Sequence, residues 1–216
     1  MKLSILILTH NRPKLFIRAI NSVLSNLPEY DIEIIVNNDT NDIDEIYDDR
    51  VSIQYHYYQH DDLSRVYKYL FDLATGEYIY YLEDDDYIKS NFFGHLDLTV
   101  DVNYMEYISE PTIERIGPLA AYKKLSTNRK INHNNEARKF IQQFDDEEFQ
   151  LGQILFRKEQ IKFPTGNNIH NDVVLFERLA KDGCSFKYID KQTWVQTTTG
   201  KNNISFPNFN KDERFC

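Results

Sequence analysis

Three short apolar runs, each breaking off abruptly into a polar cluster, constrain this chain more than any other feature. Residues 3–8 are rich in Ile and Leu and have the length of a strand buried on both faces; Thr9, His10, Asn11 and Arg12 follow at once. Residues 32–36 run the same way into Asn37, Asn38, Asp39, Thr40, Asn41 and Asp42, and residues 78–82 into Glu83, Asp84, Asp85 and Asp86. Helical patterns lie between these runs. Pro13 stands at a helix start, with Leu15, Phe16, Ala19, Ile20, Val23 and Leu24 on one stripe. Residues 63–73 carry Val66, Leu70 and Leu73 inward, and Gly76 is expected to stop that helix. Another strand pattern covers residues 51–58. A strand, helix, strand order implies parallel pairing with right-handed crossovers, and open parallel sheets bind ligands beyond the carboxyl ends of their strands. All three polar clusters fall at such ends.

The rest of the chain is less regular. Strands are expected at 105–109, 153–157 and 186–189, and helices at 136–144 and 173–180, the last ended by Gly183. With 216 residues, no internal repeat and no linker rich in Pro, Gly or Ser, the chain reads as one α/β domain. Cys184 and Cys216 are too few for a disulfide framework and suit a reducing compartment. No stretch approaches the roughly 20 apolar residues of a membrane span, and residues 3–8 lack the features of a secretion signal, so a cytoplasmic protein is expected. A net charge of −9 argues against a broad electrostatic grip on nucleic acid or anionic lipid. The surplus is uneven, however: residues 122–139 hold Lys123, Lys124, Arg129, Lys130, Arg138 and Lys139 against Glu136 alone.

The acidic run is the sharpest chemical signal. Consecutive aspartates after a buried strand repel one another, and a divalent cation is the usual reason to hold them together. Asp84 and Asp86 form a D-x-D, and Glu83 and Asp85 an E-x-D in the other register. Either pairing can put one carboxylate on a metal and another on a ribose or a metal-bound water; the plainer alternative is a solvated acidic turn. The spacing of a calcium-binding helix-loop-helix, with Gly at its sixth position, is absent.

The order SILILTHNRP with RAINSVL, then EIIVNNDTND, then ATGEYIYYLEDDDY, resembles the nucleotide-sugar-binding half of family 2 glycosyltransferases of the GT-A fold. Further on, LFRKEQIKF is similar to the segment that family places before its catalytic motif. NDVVLFERLAKDGCSFKYID is similar to its E-D-x-x-L-x-x-R-x-x-x-x-G motif, with Asp172, Leu175, Arg178 and Gly183 at matching places. The resemblance implies a single GT-A-like α/β domain over 1–216, a mostly parallel sheet flanked by helices. Residues 1–90 would bind the nucleotide sugar, and a short irregular half, 91–216, would hold acceptor and base. It implies Mn²⁺ or Mg²⁺ as cofactor and a nucleotide-sugar donor, a uridine diphosphate sugar foremost.

Residue by residue, Thr9 and Asn11 match the loop that contacts the base, and Asn38, with Asp39 beside it, matches an Asp that reads a pyrimidine edge. Arg65 or Lys68 would meet the diphosphate, and Glu83 and Asp84 the nucleotide sugar. Asp84, Asp85 and Asp86 match the metal-binding region, and Asp172 the carboxylate that deprotonates the acceptor hydroxyl in inverting members. Lys123, Lys124, Arg129, Lys130, His170 and Trp194 are the acceptor candidates. Structural readings compete: Thr9 and Asn11 as strand end and helix cap, Asp172 as a helix N-terminal acid, His170 as a solvated loop residue and Trp194 as packing.

The sequence also departs from the family pattern. Asn37 and Asn38 replace an acidic pair, Asn171 replaces the glutamate before Asp172, and Thr197, Thr198, Thr199 and Gly200 stand where many members offer a histidine. Two other functions compete with metal-dependent, inverting glycosyl transfer. One is a sugar-phosphate nucleotidyltransferase, which normally opens with a Gly-rich phosphate loop that SILILTHNRP lacks. The other is a non-catalytic nucleotide-sugar-binding module. The basic stretch suggests an anionic acceptor, either a glycan or lipopolysaccharide precursor or DNA. The abundance of Asn, Ile, Lys and Tyr, with A/T-rich codons, fits low-GC phages that glycosylate hydroxymethylated DNA bases in the host cytoplasm.

Overall fold

The computed structural model describes residues 2–40, 43–60, 63–111, 151–161, 179 and 184–198. The elements in chain order are β1 (Lys2–Thr9), α1 (Pro13–Leu24), β2 (Asp31–Asn38), β3 (Ser52–His56), α2 (Leu63–Leu73), β4 (Tyr78–Glu83), β5 (Tyr87–Ile88), β6 (Val102–Pro111), β7 (Ile154–Arg157) and β8 (Phe186–Thr198). Among the described residues, eight strands form one sheet in the order β3-β2-β1-β4-β7-β6-β8-β5. β1 pairs in parallel with β2 and β4, and β2 with β3. Antiparallel β7 then joins β4 to β6, which runs parallel to β8, and β5 closes the far edge antiparallel to β8. The fold is the expected GT-A-like α/β arrangement, a mixed sheet with its parallel half first in sequence. Among the described residues no helix is long and apolar enough to cross a membrane.

Strand alternation divides the core. Leu3, Ile5 and Ile7 of β1 pack with Phe16, Ala19, Ile20 and Val23 of α1, while Leu6 packs on the other face with Leu70 and Phe71 of α2. At roughly 1.5–3 kcal/mol per large apolar side chain buried, the α1 stripe is enough to fix that helix on the sheet. Leu73 is only partly buried, beside fully packed Leu70.

Besides β5, which was not expected, and β6, which covers Val102–Pro111 where 105–109 was expected, three features differ from expectation. β8 runs on to Thr198, because β8 advances from Ile189 to Trp194 while β6 advances only from Met105 to Tyr107. That irregularity absorbs the polar residues 190–192, which interrupt the apolar pattern. β3 ends at His56, since the chain beyond it leaves the sheet. Gly76 serves close approach rather than a left-handed helix cap: a Cβ there would lie 2.6 Å from Ser4 Oγ and 2.7 Å from the Ser4 nitrogen. The expected helix at 136–144 lies outside the described residues. Of the one at 173–180, only Leu179 is described; it is helical and buried.

At the amino end of the parallel strands sits a buried charge. Glu33 is 1% exposed. Its carboxylate accepts from Lys2 Nζ at 2.6 Å, Ser4 Oγ at 2.5 Å and the Thr75 backbone N–H at 2.6 Å. The Gly76 N–H donates to both Ser4 Oγ, at 2.8 Å, and Glu33, at 3.2 Å. Burial alone would raise the carboxyl's pKa; the bonds from Lys2, Ser4 and Thr75 outweigh it and hold the group at about 2. A depressed folded-state pKa stabilises the fold above the unfolded value of 4.5, and the contribution is lost as pH falls towards 2. Glu33→Gln is therefore expected to cost about 1–3 kcal/mol at neutral pH. It should also flatten the stability profile between those two pH values, as measured by urea titration across pH.

Asn37 ties β2 to the chain leaving β3. Its Oδ1 accepts the Tyr58 N–H at 2.9 Å and its Nδ2 donates to the Tyr58 carbonyl at 3.0 Å. Only an amide satisfies both groups; a carboxylate would face the carbonyl with a second acceptor. This accounts for one of the two asparagines that replace the family's acidic pair. Asn37→Asp is expected to lower stability by about 1–3 kcal/mol, read as a shifted denaturation midpoint with an unchanged slope.

Candidate active site at the carboxyl edge of the sheet

The register Thr9↔Asn38 and Leu8↔Glu83 brings the ends of β1, β2 and β4 to one edge. Asn11 has a positive φ of 52°, a left-handed conformation that Asn tolerates. Its N–H donates to Thr40 Oγ1 at 3.2 Å, and the Thr40 hydroxyl and N–H both donate to Asn38 Oδ1, at 3.1 and 3.3 Å. The acceptor side of the Asn38 amide is thus committed. Its buried Nδ2 has no hydrogen-bond partner among the described residues. Beside it, His10 Nδ1 lies 2.7 Å from Asp39 Oδ1, linking the loops after β1 and β2. Helix α1 begins at Pro13 behind Arg12 with no side-chain cap, so Thr9 and Asn11 do not serve as caps.

Arg12 organises the acidic run. Its Nη2 lies 2.7 Å from Asp84 Oδ1 and its Nη1 2.7 Å from Asp85 Oδ2. The His10 N–H donates to Asp84 Oδ2 at 3.3 Å. Arg18 Nη2 donates to the Asp85 carbonyl at 2.5 Å, with its guanidinium 4.8 Å from the centroid of the Tyr87 ring. All three aspartates are buried. Burial pushes the Asp84 carboxyl up to about 7; Arg12, the Thr9 hydroxyl and the His10 N–H oppose the rise, and the charge of Asp85 adds to it. Burial likewise raises Asp85, against Arg12.

Ligand atoms of Glu83, Asp85 and Asp86 lie within 4.8 Å of one another. Such hard oxygen donors suit Mg²⁺ or Mn²⁺, so the residues present fit a divalent cation. Tyr67 of α2 approaches the same group, its hydroxyl 3.3 Å from Glu83 Oε1, and its own carbonyl is held by Tyr81 Oη at 2.9 Å.

The structure brings together Thr9, Asn11, Asn38, Asp39 and Glu83 through Asp86, as the sequence suggested. It does not bring Lys68, which donates to Asp72 one turn along α2. Arg65 is exposed on the first turn of that helix. Trp194, an acceptor candidate, is corrected: it is 0% exposed, and its ring fits against Gly152, where an added Cβ would lie 2.6 Å from the indole. A ring so enclosed packs the core and cannot stack on an acceptor. Lys123, Lys124, Arg129, Lys130, His170 and Asp172 lie outside the described residues. Sequence reasoning missed His10, Arg12, Arg18 and Tyr67. The signal for Arg12 was present: a buried acidic run needs a cation, and one follows β1, the parallel neighbour of β4.

The sequence matches the family model "Glycosyl transferase family 2" over residues 4–162. No curated protein sequence matches it. Among solved structures, S. aureus TarS 1–349 superposes with a TM-score of 0.62 at 16% identity, covering 91% of this chain and 60% of that one. Its complex with UDP-GlcNAc gives 0.62 and 16%, covering 92% and 59%. Its complex with UDP gives 0.60 and 16%, covering 93% and 61%. At that identity the likeness is one of fold, and this chain spans about three fifths of the TarS chains' length. The family match extends over most of the sequence, from the first strand through β7. The chain belongs to glycosyl transferase family 2.

Proposed function

We propose that this chain transfers a sugar from a nucleotide-sugar donor, a uridine diphosphate sugar, to a hydroxyl acceptor, with a divalent cation and with inversion. The observation that carries the reading is the convergence of Thr9, Asn38 and the Glu83–Asp86 carboxylates at one sheet edge, where open α/β sheets bind ligands. Family membership supports it, as do the TarS complexes with UDP-GlcNAc and UDP. With its oxygen committed to Thr40, Asn38 offers the base its NH₂ as a donor. Glu83, Asp85 and Asp86 would hold Mn²⁺ or Mg²⁺, which when bound offsets charge developing on the departing diphosphate. Asp172 is the proposed base. It accepts the acceptor's hydroxyl proton as that oxygen bonds to the anomeric carbon and the bond from that carbon to the diphosphate oxygen breaks.

Thermal shift with a panel of nucleotide sugars tests donor and metal together. A uridine diphosphate sugar at 100 times its Kd adds about 2.7 kcal/mol, a rise of roughly 5–10 °C for a chain of this size, and the rise should need Mn²⁺. Asp172→Asn is expected to keep that shift and lose about 10²–10⁴-fold in turnover. An unchanged turnover would remove Asp172 as the base, and no transfer by the wild type to any acceptor would favour a non-catalytic binding module.

We infer that the acceptor is anionic, a phosphate-bearing glycan first and hydroxymethylated DNA second, met by the basic stretch and reached in the cytoplasm. Charge reversal at Lys123, Lys124, Arg129 and Lys130 should weaken acceptor binding and flatten its dependence on salt, by a slope of about 0.9 per phosphate contact for duplex DNA. Salt-independent binding by the wild type would sink this acceptor class.

A further inference from the structure

We propose that His56 is an acid-sensitive switch: neutral, it locks the end of β3 against α2, and a proton on its ring opens that seam and loosens the loop after β2. The geometry is a closed circuit of contacts. His56 Nδ1 lies 3.1 Å from Tyr69 Oη on α2, and the two rings meet edge to face with centroids 5.7 Å apart. Tyr69 in turn stacks on Tyr58, with centroids 4.5 Å apart and planes 22° from parallel. Tyr58 is held by the Asn37 amide through both its N–H and its carbonyl. Asn37 is the register partner of His56 across β2 and β3, which closes the circuit. The same segment reaches the candidate site, since Gln59 Nε2 donates to the Asp39 carbonyl and the Asp39 carboxylate meets His10.

His56 closes this circuit only as a neutral side chain. A neutral imidazole has one N–H and one bare nitrogen, and the Tyr69 hydroxyl can serve Nδ1 in either tautomer. The ring is half-buried, but its Nε2 is fully covered and has no hydrogen-bond partner among the described residues. An imidazolium carries a proton on both nitrogens, so it would bury an Nε2–H without an acceptor and a charge without a counter-charge. The surroundings offer none. Tyr58 and Tyr69 are phenols, Asn37 of β2 is an amide, and His60 stacks on Tyr58. On α2, Lys68 pairs with Asp72, and Arg65 is exposed on the first turn. Burial alone holds the His56 pKa below its ordinary 6.5. A lowered folded-state value means that the folded chain resists a proton that the unfolded chain accepts. The stabilising contribution is therefore complete above pH 6.5 and is lost as pH falls below it towards the folded-state value. Among the described residues β3 is an edge strand paired with β2 alone, so local opening meets less resistance here than in the middle of the sheet.

The test is nuclear magnetic resonance on the full chain, titrated from about pH 7.5 to about 5. The His56 ring, assigned by its proximity to Tyr69, should titrate with a midpoint below 6.5. Over the same range the protection of the Tyr58 N–H against hydrogen exchange, corrected for the intrinsic pH dependence of exchange, should fall by about threefold or more. In His56→Phe, which keeps a ring against Tyr69 and cannot titrate, that protection should stay level. Should His56→Phe not fold, His56→Gln is a second variant that does not titrate, and the ring midpoint needs no variant at all. A midpoint at or above 6.5, unchanged Tyr58 protection in the wild type, or an equal loss in the variant overturns the inference. Neither readout involves a nucleotide or a metal, so failure here leaves the proposed function intact, and failure of donor binding leaves the switch intact.

Discussion

The ion pairs that Arg12 makes with Asp84 and Asp85 are the interaction on which the carboxyl edge of the sheet depends. A strand buried on both faces must end somewhere, and β4 ends in consecutive carboxylates that are themselves buried. Burial favours their neutral forms, and each ionised neighbour makes the next ionisation harder. A guanidinium between two of them reverses part of that cost. Because Arg12 also opens α1, the same residue that makes the acidic run tolerable sets where the first crossover begins.

The two ends of the parallel strands treat buried charge in opposite ways. At the amino end, Glu33 is met by Lys2, Ser4 and Thr75, and its pKa falls to about 2. That carboxylate is satisfied by its own fold and holds β1, β2 and the turn before β4 together. At the carboxyl end the protein supplies less than the carboxylates need, and the Asp84 carboxyl rises to about 7. Strongly perturbed acidic groups concentrate at functional sites. The acidic run behind β4 stands out in the sequence, whereas Glu33, inside an apolar strand, does not.

Much of the first half was legible in the sequence. Buried strands and one-sided helices carry strong periodic signals, so β1, α1, β2, α2 and β4 fall within one or two residues of their expected ends. The clusters of the site were legible for the same reason, since each closes a readable strand. The partners within those clusters were not. Arg12 looked like one polar residue among several until β1 and β4 lay side by side, and Tyr67 looked like a core aromatic of α2 until its hydroxyl was placed near Glu83. β8 was misjudged because its polar residues 190–192 fall at an irregularity in its pairing with β6, which no alternation pattern can anticipate. Trp194 stood among the acceptor candidates because a lone tryptophan serves packing and stacking equally well on paper.

By itself the sequence determined the α/β class, the parallel half-sheet, its polar edge and the family, because periodicity and motif order are properties of the chain read in one direction. Tertiary structure alone decided which carboxylates of the acidic run meet Arg12. Neighbouring carboxylates are chemically alike in sequence, and only the cation that reaches each of them makes them different. Arg12 is 72 residues away from Asp84 along the chain, and the pairing of β1 with β4 brings it within 2.7 Å.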